Sequence, residues 1–481
     1  MVTDAVVVGA GPNGLAAAVI LARAGIPTTL YEAENSIGGG LRTGELTLPG
    51  FLHDECSAVH PLVLASPFFR AFQLGQRMDF VVPDISYAHP LSDSPTILAH
   101  RDVAQTAAQL GVDGSSWKKL MNPLIRHSRG VRRFVLDQLL QVPRDPIAAA
   151  VFGLRTLEQG TPLGKARFSE DRAPALLAGV TAHTPGRMPG LANAGAGLIL
   201  ASLAHTSGWP LPVGGSRSIA RALAGDFEAH GGRIVTGERI TYLEQVGHAR
   251  AIILDISPTA LISLAGNHLP TKYVRALREY RLGAGAFKID FALAEPVPWK
   301  DPNTALSPTV HLGGSREQIA AAERDVARGK HPENPYILVT QPTAFDPTRA
   351  PVGKHTLWAY THVPNGSSRD LTERIIGQIE RYAPGFRDTI LAVSARPASA
   401  LAAHNTNYVG GDFLGGAVDL RQMIKRPVVS TVPWATPLPH VFLGSASTPP
   451  GPSVHGMGGY YAARTALRRV FGLGIPELGK S

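Results

Sequence analysis

Gly9, Gly11 and Gly14 stand at the spacing G-x-G-x-x-G in "AVVVGAGPNGLAAAVILARAG", and Glu32 closes the next apolar run, "TTLYE". Residues 4–9 read as a strand, 12–24 as a helix and 28–32 as a second strand. At such a junction Gly9 permits a tight turn, Gly11 lets a pyrophosphate approach the backbone, and Gly14 lets helix and strand pack closely. The helix N-terminus, opened by Pro12 and Asn13, offers unpaired N–H groups and a positive dipole to phosphate. Glu32 is placed to accept from ribose hydroxyls, and its charge disfavours a 2′-phosphate, hence NADP. The chemistry is dinucleotide binding.

A second glycine turn, "GGGLRT", runs from Gly38 through Gly39 and Gly40 to Arg42 and Thr43. A turn so soon after the acidic residue is not needed for NAD but suits a chain wrapped round an FAD pyrophosphate. A third glycine-rich loop, "GSASTPPGPSVHGMGGYYAARTA", begins at Gly444 and runs into a helix-like alanine stretch. It follows the strand-like "VFLGSAS".

Other patterns carry less. His53 and His60 flank Cys56, but a metal site would require a third strong ligand, so no metal is expected. No G-x-S-x-G follows a strand, which leaves a hydrolase triad without its nucleophile turn. One cysteine in 481 residues excludes an intramolecular disulfide and any cysteine-based zinc cluster, and it fits a reducing compartment. The start of the chain shows no basic leader with a cleavage site, and no run of about 18 apolar residues occurs. A cytoplasmic location is the expectation, with membrane association left open.

The net charge of +9 is spread along the chain. Its densest cluster, "RHSRGVRRFVLDQLL" from Arg126, reads as a basic amphipathic helix, either a solvated face or a peripheral membrane contact. Nucleic acid is not expected as a partner, because no aromatic residues interleave with the basic ones.

The elements that must position these residues fall into five stretches. Residues 1–60, 211–265 and 431–481 carry the nucleotide-type strands and helices, including "RIVT" and "ARAIILDIS" in the middle stretch. Residues 61–210 read as a helical, substrate-side insertion. Residues 266–430 contain the strand-like "GAFKIDFAL", "YILVTQP" and "HTLWAYTHV", and so a mixed sheet. The expected class is α/β: a Rossmann-type FAD-binding domain with an inserted mixed-sheet substrate domain and a helical insertion.

The fingerprint, the Gly38–Gly39 turn, "PVGGSRSIARALAGDFEAHGGRI" and the C-terminal loop together resemble the phytoene desaturase-like flavoproteins, in the class that also holds amine oxidases. The likeness spans nearly the whole chain and is nearest to the pyridine nucleotide-disulfide oxidoreductase domain-containing subgroup. It implies FAD as cofactor, with the first loop on the pyrophosphate and Gly444, Ser445, Val454, His455, Gly456 and Met457 toward the ring. Ile240 joins the implied cofactor contacts. The resemblance also sets Lys288, in "FKIDFAL", beside flavin N5; the alternative is a strand-end lysine reaching for solvent. His455 either lines the flavin pocket as a catalytic group or caps its own turn.

Departures from amine oxidases bear on the substrate. Gly40 stands where they carry an arginine, and the stretch Ser453–Met457 lacks the aromatic residue of their substrate cage; Tyr460 and Tyr461 read as packing residues. An amine substrate is disfavoured. The resemblance therefore implies oxidation or desaturation of a small apolar substrate, isoprenoid or lipid-like, by hydride transfer to flavin N5. The electron acceptor is oxygen, a quinone or another oxidant. A flavin-dependent lipid isomerase or hydratase and a non-catalytic, escort-like lipid carrier are the rival readings. Asp412, Trp358 and Tyr360 are read as structural residues with a secondary prospect of reaching the substrate.

Overall fold

In the computed structural model, which describes residues 3–479, the chain builds two large sheets that line one shared cavity, and two small two-stranded ones. The first is a five-stranded parallel sheet in the order Val441–Leu443, Ala251–Leu254, Ala5–Val8, Thr28–Tyr31, Arg233–Val235. Its central strand, Ala-Val-Val-Val, is buried throughout, as an unbroken β-branched run must be when helices cover both faces. The three stretches 1–60, 211–265 and 431–481 each contribute to this sheet.

Helix Pro12–Arg23 covers one face together with Arg217–Ala229 and Met457–Ala466. Small residues set how closely these helices meet. Pro258–Ala265 and Thr271–Arg278 cover the other face, where Leu261, Leu264 and Leu277 pack on Val6, Val8, Ile252 and Leu254.

The second sheet has seven strands: Ile390–Arg396, Gly285–Leu293, His355–Val363, Ile337–Thr340, Thr309–Leu312, Ile85–Leu91 and Ser94–His100, in that spatial order. All pairs are antiparallel except Thr309–Leu312 with Ile85–Leu91, so the sheet is mixed. Phe287, Ile289 and Phe291 point to one face, against Ile375, Ile376 and Ile379 of helix Thr372–Glu380. With the alternation of a strand, Lys288 and Asp290 then take the opposite face, toward the cavity.

Two expectations need correction here. Residues 61–210 are not wholly helical: the hairpin of Ile85–Leu91 and Ser94–His100 forms one end of the second sheet. Its prolines, Pro90 and Pro95, read as turn formers in the sequence but are tolerated at a sheet margin. The basic stretch from Arg126 is not one helix. It breaks at His127 between Gly114–Arg126 and Ser128–Val135, and the residues after Leu136 leave the helix. Of Ser128–Val135 only Gly130 and Val131 are buried, so its arginines form a largely open face.

Candidate cofactor and substrate cavity

A cavity of about 1170 Å³ runs from the first glycine loop to the helices of the insertion. At the nucleotide end the loop is built so that side chains are excluded. Gly9 has φ +97°, and a Cβ on Gly14 would stand 1.8 Å from the Gly9 carbonyl oxygen. A Cβ on Gly39 would come within 3.1 Å of Gly11 Cα, so the first two glycine turns touch. The Gly38 N–H donates to Ala10 O at 2.8 Å and locks them together.

Glu32 is buried at the end of its strand and holds this corner. Its Oε2 accepts from Ala10 N at 2.8 Å, its Oε1 from Glu34 N at 3.0 Å, and Arg42 Nη2 lies 3.4 Å from Oε1. A Cβ on Gly40 would stand 2.5 Å from Tyr408 Oη, so a side chain there would have to displace that ring.

The cradle fits a dinucleotide. Helix Pro12–Arg23 has no side-chain cap at Gly11, and its N-terminus faces the same cavity as Gly9, Gly11, Asn13 and Glu32. Ile240, Arg42, Ser445, Val454 and His455 also line that cavity, whereas Gly38, Gly444, Gly456 and Met457 stand behind it. Gly444 serves packing instead: a Cβ there would be 2.9 Å from Ala462 Cβ.

His455 is spent on its own turn. Nδ1 accepts from Met457 N at 3.0 Å, and Nε2–H faces Gly451 O at 3.2 Å. Burial pushes its pKa down to about 4, so the ring is neutral and suited to one donor and one acceptor bond. With both nitrogens engaged, the ring caps helix Met457–Ala466 and has no nitrogen left for acid–base work. The Met457 N–H is likewise committed and does not point free into the cavity.

Lys288 lies mid-strand, 3% exposed, and lines the cavity beside Gly39, Gly40, Cys56, Trp358 and Tyr360. It is not a strand-end residue reaching solvent. Its Nζ is ion-paired with Asp290 Oδ2 and sits 5.6 Å from the Trp358 ring centre. Burial pulls the Lys288 ammonium below its ordinary pKa, and Asp290 pulls it back up. Asp290 in turn faces His53 Nδ1 at 3.6 Å, and His53 Nε2 is 2.8 Å from Thr47 Oγ1. Burial, with Lys288 and Arg349 adding, pushes His53 down to about 3 and keeps it neutral.

Asp290 escaped the sequence reading, although its spacing of two from Lys288 puts both on one strand face. Asp255 also escaped, as a lone carboxylate ending a strand. Asp412 accepts from Gly283 N, Leu414 N and Gly416 N and does not line the cavity; its role is structural. Trp358 and Tyr360 do line it. His60 bonds Ser216 Oγ at 2.7 Å, and no cluster of metal-ligating groups occurs among the described residues.

Part of the cavity wall is apolar. Phe134, Leu139, Leu140, Phe152, Leu157 and Ile199 line it. Leu140 and Leu157 are exposed as well as lining, so they mark a mouth. No helix among the described residues is long and apolar enough to cross a membrane.

The NAD(P)-binding Rossmann-like domain family matches residues 7–72. Over 97% of this chain and 93% of the relative, the sequence is 25% identical to pyridine nucleotide-disulfide oxidoreductase domain-containing protein 2 of Rattus norvegicus. It is 28% identical to phytoene dehydrogenase of Streptomyces griseus, over 81% of this chain and 78% of that one. Among solved structures, putrescine oxidase superposes with a TM-score of 0.61 at 16% identity, covering 98% of this chain and 99% of the other. An oxidoreductase from Methanosarcina mazei gives 0.58 at 15%, covering 95% and 98%. The fold is shared with these proteins, and the glycine cradle with Glu32 stands at the dinucleotide end of a cleft that fits FAD.

Proposed function

We propose that the protein is an FAD-dependent oxidoreductase that oxidises or desaturates an apolar, isoprenoid or lipid-like substrate. One observation carries the reading: a single cavity is lined by the glycine turns with Glu32, by apolar residues such as Phe134 and Ile199, and by the buried Lys288. When bound, FAD would accept the two electrons of the oxidation as one hydride. The substrate would lose that hydride to the flavin and a proton to solvent or a nearby base, forming a double bond, and oxygen, a quinone or another oxidant would later take the two electrons.

The chain's own residues bind and orient. Gly9, Gly11 and the helix N-terminus would hold the pyrophosphate, with Gly14 serving the close packing of helix on strand, and Glu32 would hold the adenosine ribose. The apolar walls exclude water and align the substrate, the effect that converts proximity into rate. Lys288, held in its ion pair with Asp290, would offer an N–H donor to negative charge developing in a dry site, where such a contact counts for more than in water.

Substrate would enter from a lipid surface. Ile147, Leu154 and Leu157 are 65%, 67% and 50% exposed on helix Pro146–Gln159, spaced so that they share one side. Helix Ser128–Val135, whose arginines lie largely open, precedes that helix in the chain and packs against it. Anaerobic incubation of the flavin-loaded protein with an apolar lipid extract tests the redox reading. Bleaching of the flavin with appearance of a product two hydrogens lighter supports it; turnover to an isomer or hydrate with no steady bleaching contradicts it.

A further inference from the structure

Asp255 ends the strand Ala251–Leu254, beside the central strand, with its N–H donating to Val8 O at 2.8 Å. Its Oδ2 accepts from Gly14 N at 2.9 Å, a first-turn amide of helix Pro12–Arg23. A Cβ on Gly11 would meet the same oxygen at 2.8 Å. A carboxyl group therefore already occupies the surface that a pyrophosphate must approach, and it lines the cavity.

Its backbone is held in place. Its carbonyl oxygen accepts from Asn407 Nδ2 at 2.9 Å, while Asn407 Oδ1 accepts from Ser257 N at 2.9 Å. The charged groups around it do not compensate it. Glu32, from the neighbouring strand, adds a second negative charge, and Arg42, from the turn that follows, is directed at Glu32. Asn13 from the helix and Asn407 from the facing loop are neutral. An ionised Asp255 would thus meet the diphosphate as a third anion in one corner.

We propose that Asp255 is a cofactor-binding residue that takes up a proton as the pyrophosphate docks, so that FAD loading is linked to pH. One oxygen keeps the Gly14 N–H while the other, protonated, becomes a donor to a phosphate oxygen. Burial, with Glu32 adding, already lifts its pKa to about 7, so the proton is available near neutrality. The inference rests on the FAD reading above.

Flavin-free protein titrated with FAD, followed by quenching of flavin fluorescence, tests it between about pH 6 and about pH 9. Affinity should be level on the acid side and fall by up to about tenfold per pH unit above about 7. Asp255→Asn, an uncharged donor of the same shape, should bind FAD with level affinity throughout. A level wild-type profile, or an equal fall in the Asn variant, overturns the proposal. Should the variant not fold, proton uptake by the wild type decides: about one proton per FAD bound at about pH 8 in weak buffer is expected, and none overturns it. Failure to bind FAD at any pH would overturn the cofactor reading as well, which separates the two.

Discussion

Gly459 of the C-terminal helix and Asn13 of the first helix meet backbone to backbone: a Cβ on Gly459 would stand 1.8 Å from the Asn13 carbonyl oxygen. Asn13 Oδ1 also faces Gly459 N at 3.5 Å. Two loops more than 400 residues apart in sequence are in this way fixed side by side on one cavity. Gly459→Ala should therefore destabilise by about 1–3 kcal/mol or more through overpacking, with loss of bound flavin. Denaturant unfolding and the flavin-to-protein absorbance ratio check this; unchanged values for both would show that the contact is dispensable.

Gly11→Val should abolish cofactor loading while leaving the sheet intact. The new side chain would crowd Asp255 Oδ2, 2.8 Å from the Cβ position, and take the space of the pyrophosphate. Normal flavin content in the variant would remove the first loop from the cofactor site.

Lys288→Met keeps the apolar stem and removes the charge next to Asp290. Flavin loading should survive, because burial already raises the Asp290 pKa and lets it protonate once the lysine charge is gone. Reoxidation of photoreduced flavin by oxygen should slow about tenfold or more, equivalent to about 1.4 kcal/mol of barrier. Reduction by substrate should change less. Stopped-flow mixing with oxygenated buffer reads the rate, and an unchanged rate would leave Lys288 as a packing residue.

Asp54 and Arg349 form a fully buried ion pair at 2.5 Å, and Thr43 Oγ1 and Ser216 N also bond Asp54. The Arg349 guanidinium and these hydrogen bonds outweigh burial and hold the Asp54 pKa below its ordinary value. A lowered carboxylate pKa means that its stabilisation is present above the unfolded-state value, about 3.9, and is lost as pH falls through the folded one. Arg349→Met should cost about 3–5 kcal/mol near neutral pH, because the carboxylate is left buried and unpaired. The gap to wild type should narrow as pH drops below about 4. Unfolding measured across that range checks the sign; a gap that widens in acid would contradict it.

Much of this was legible in the sequence, for definite reasons. Three parallel strands are short apolar runs, and their glycine turns admit few alternatives, so Gly9–Gly14 and Glu32 declared the cofactor end. Lys288 was visible as a charge inside an apolar strand. Its partner Asp290 was not, because a second charge two residues on reads as surface until the strand is known to be central. The strand Ile390–Arg396 alternates half-buried and exposed residues at a sheet margin, a weak signal beside the buried runs. His455 could be placed at the turn by pattern, but only coordinates show both ring nitrogens already bonded.

The exposed apolar side of helix Pro146–Gln159 predicts binding to anionic phospholipid vesicles. Ile147→Glu with Leu154→Glu should reduce co-sedimentation at least about tenfold, and added salt should weaken the wild type through the arginine face. Equal recovery of both proteins in the supernatant would remove the lipid surface as a partner.

One FAD is expected to span the cavity from Glu32 to Lys288. Acid release of the cofactor from purified protein, followed by chromatography against FAD, FMN and NAD standards, tests it directly. The account predicts a yellow protein that yields FAD, since Glu32 has a ribose to hold only in a dinucleotide. FMN alone, or a colourless protein that cannot be loaded with FAD, would contradict it.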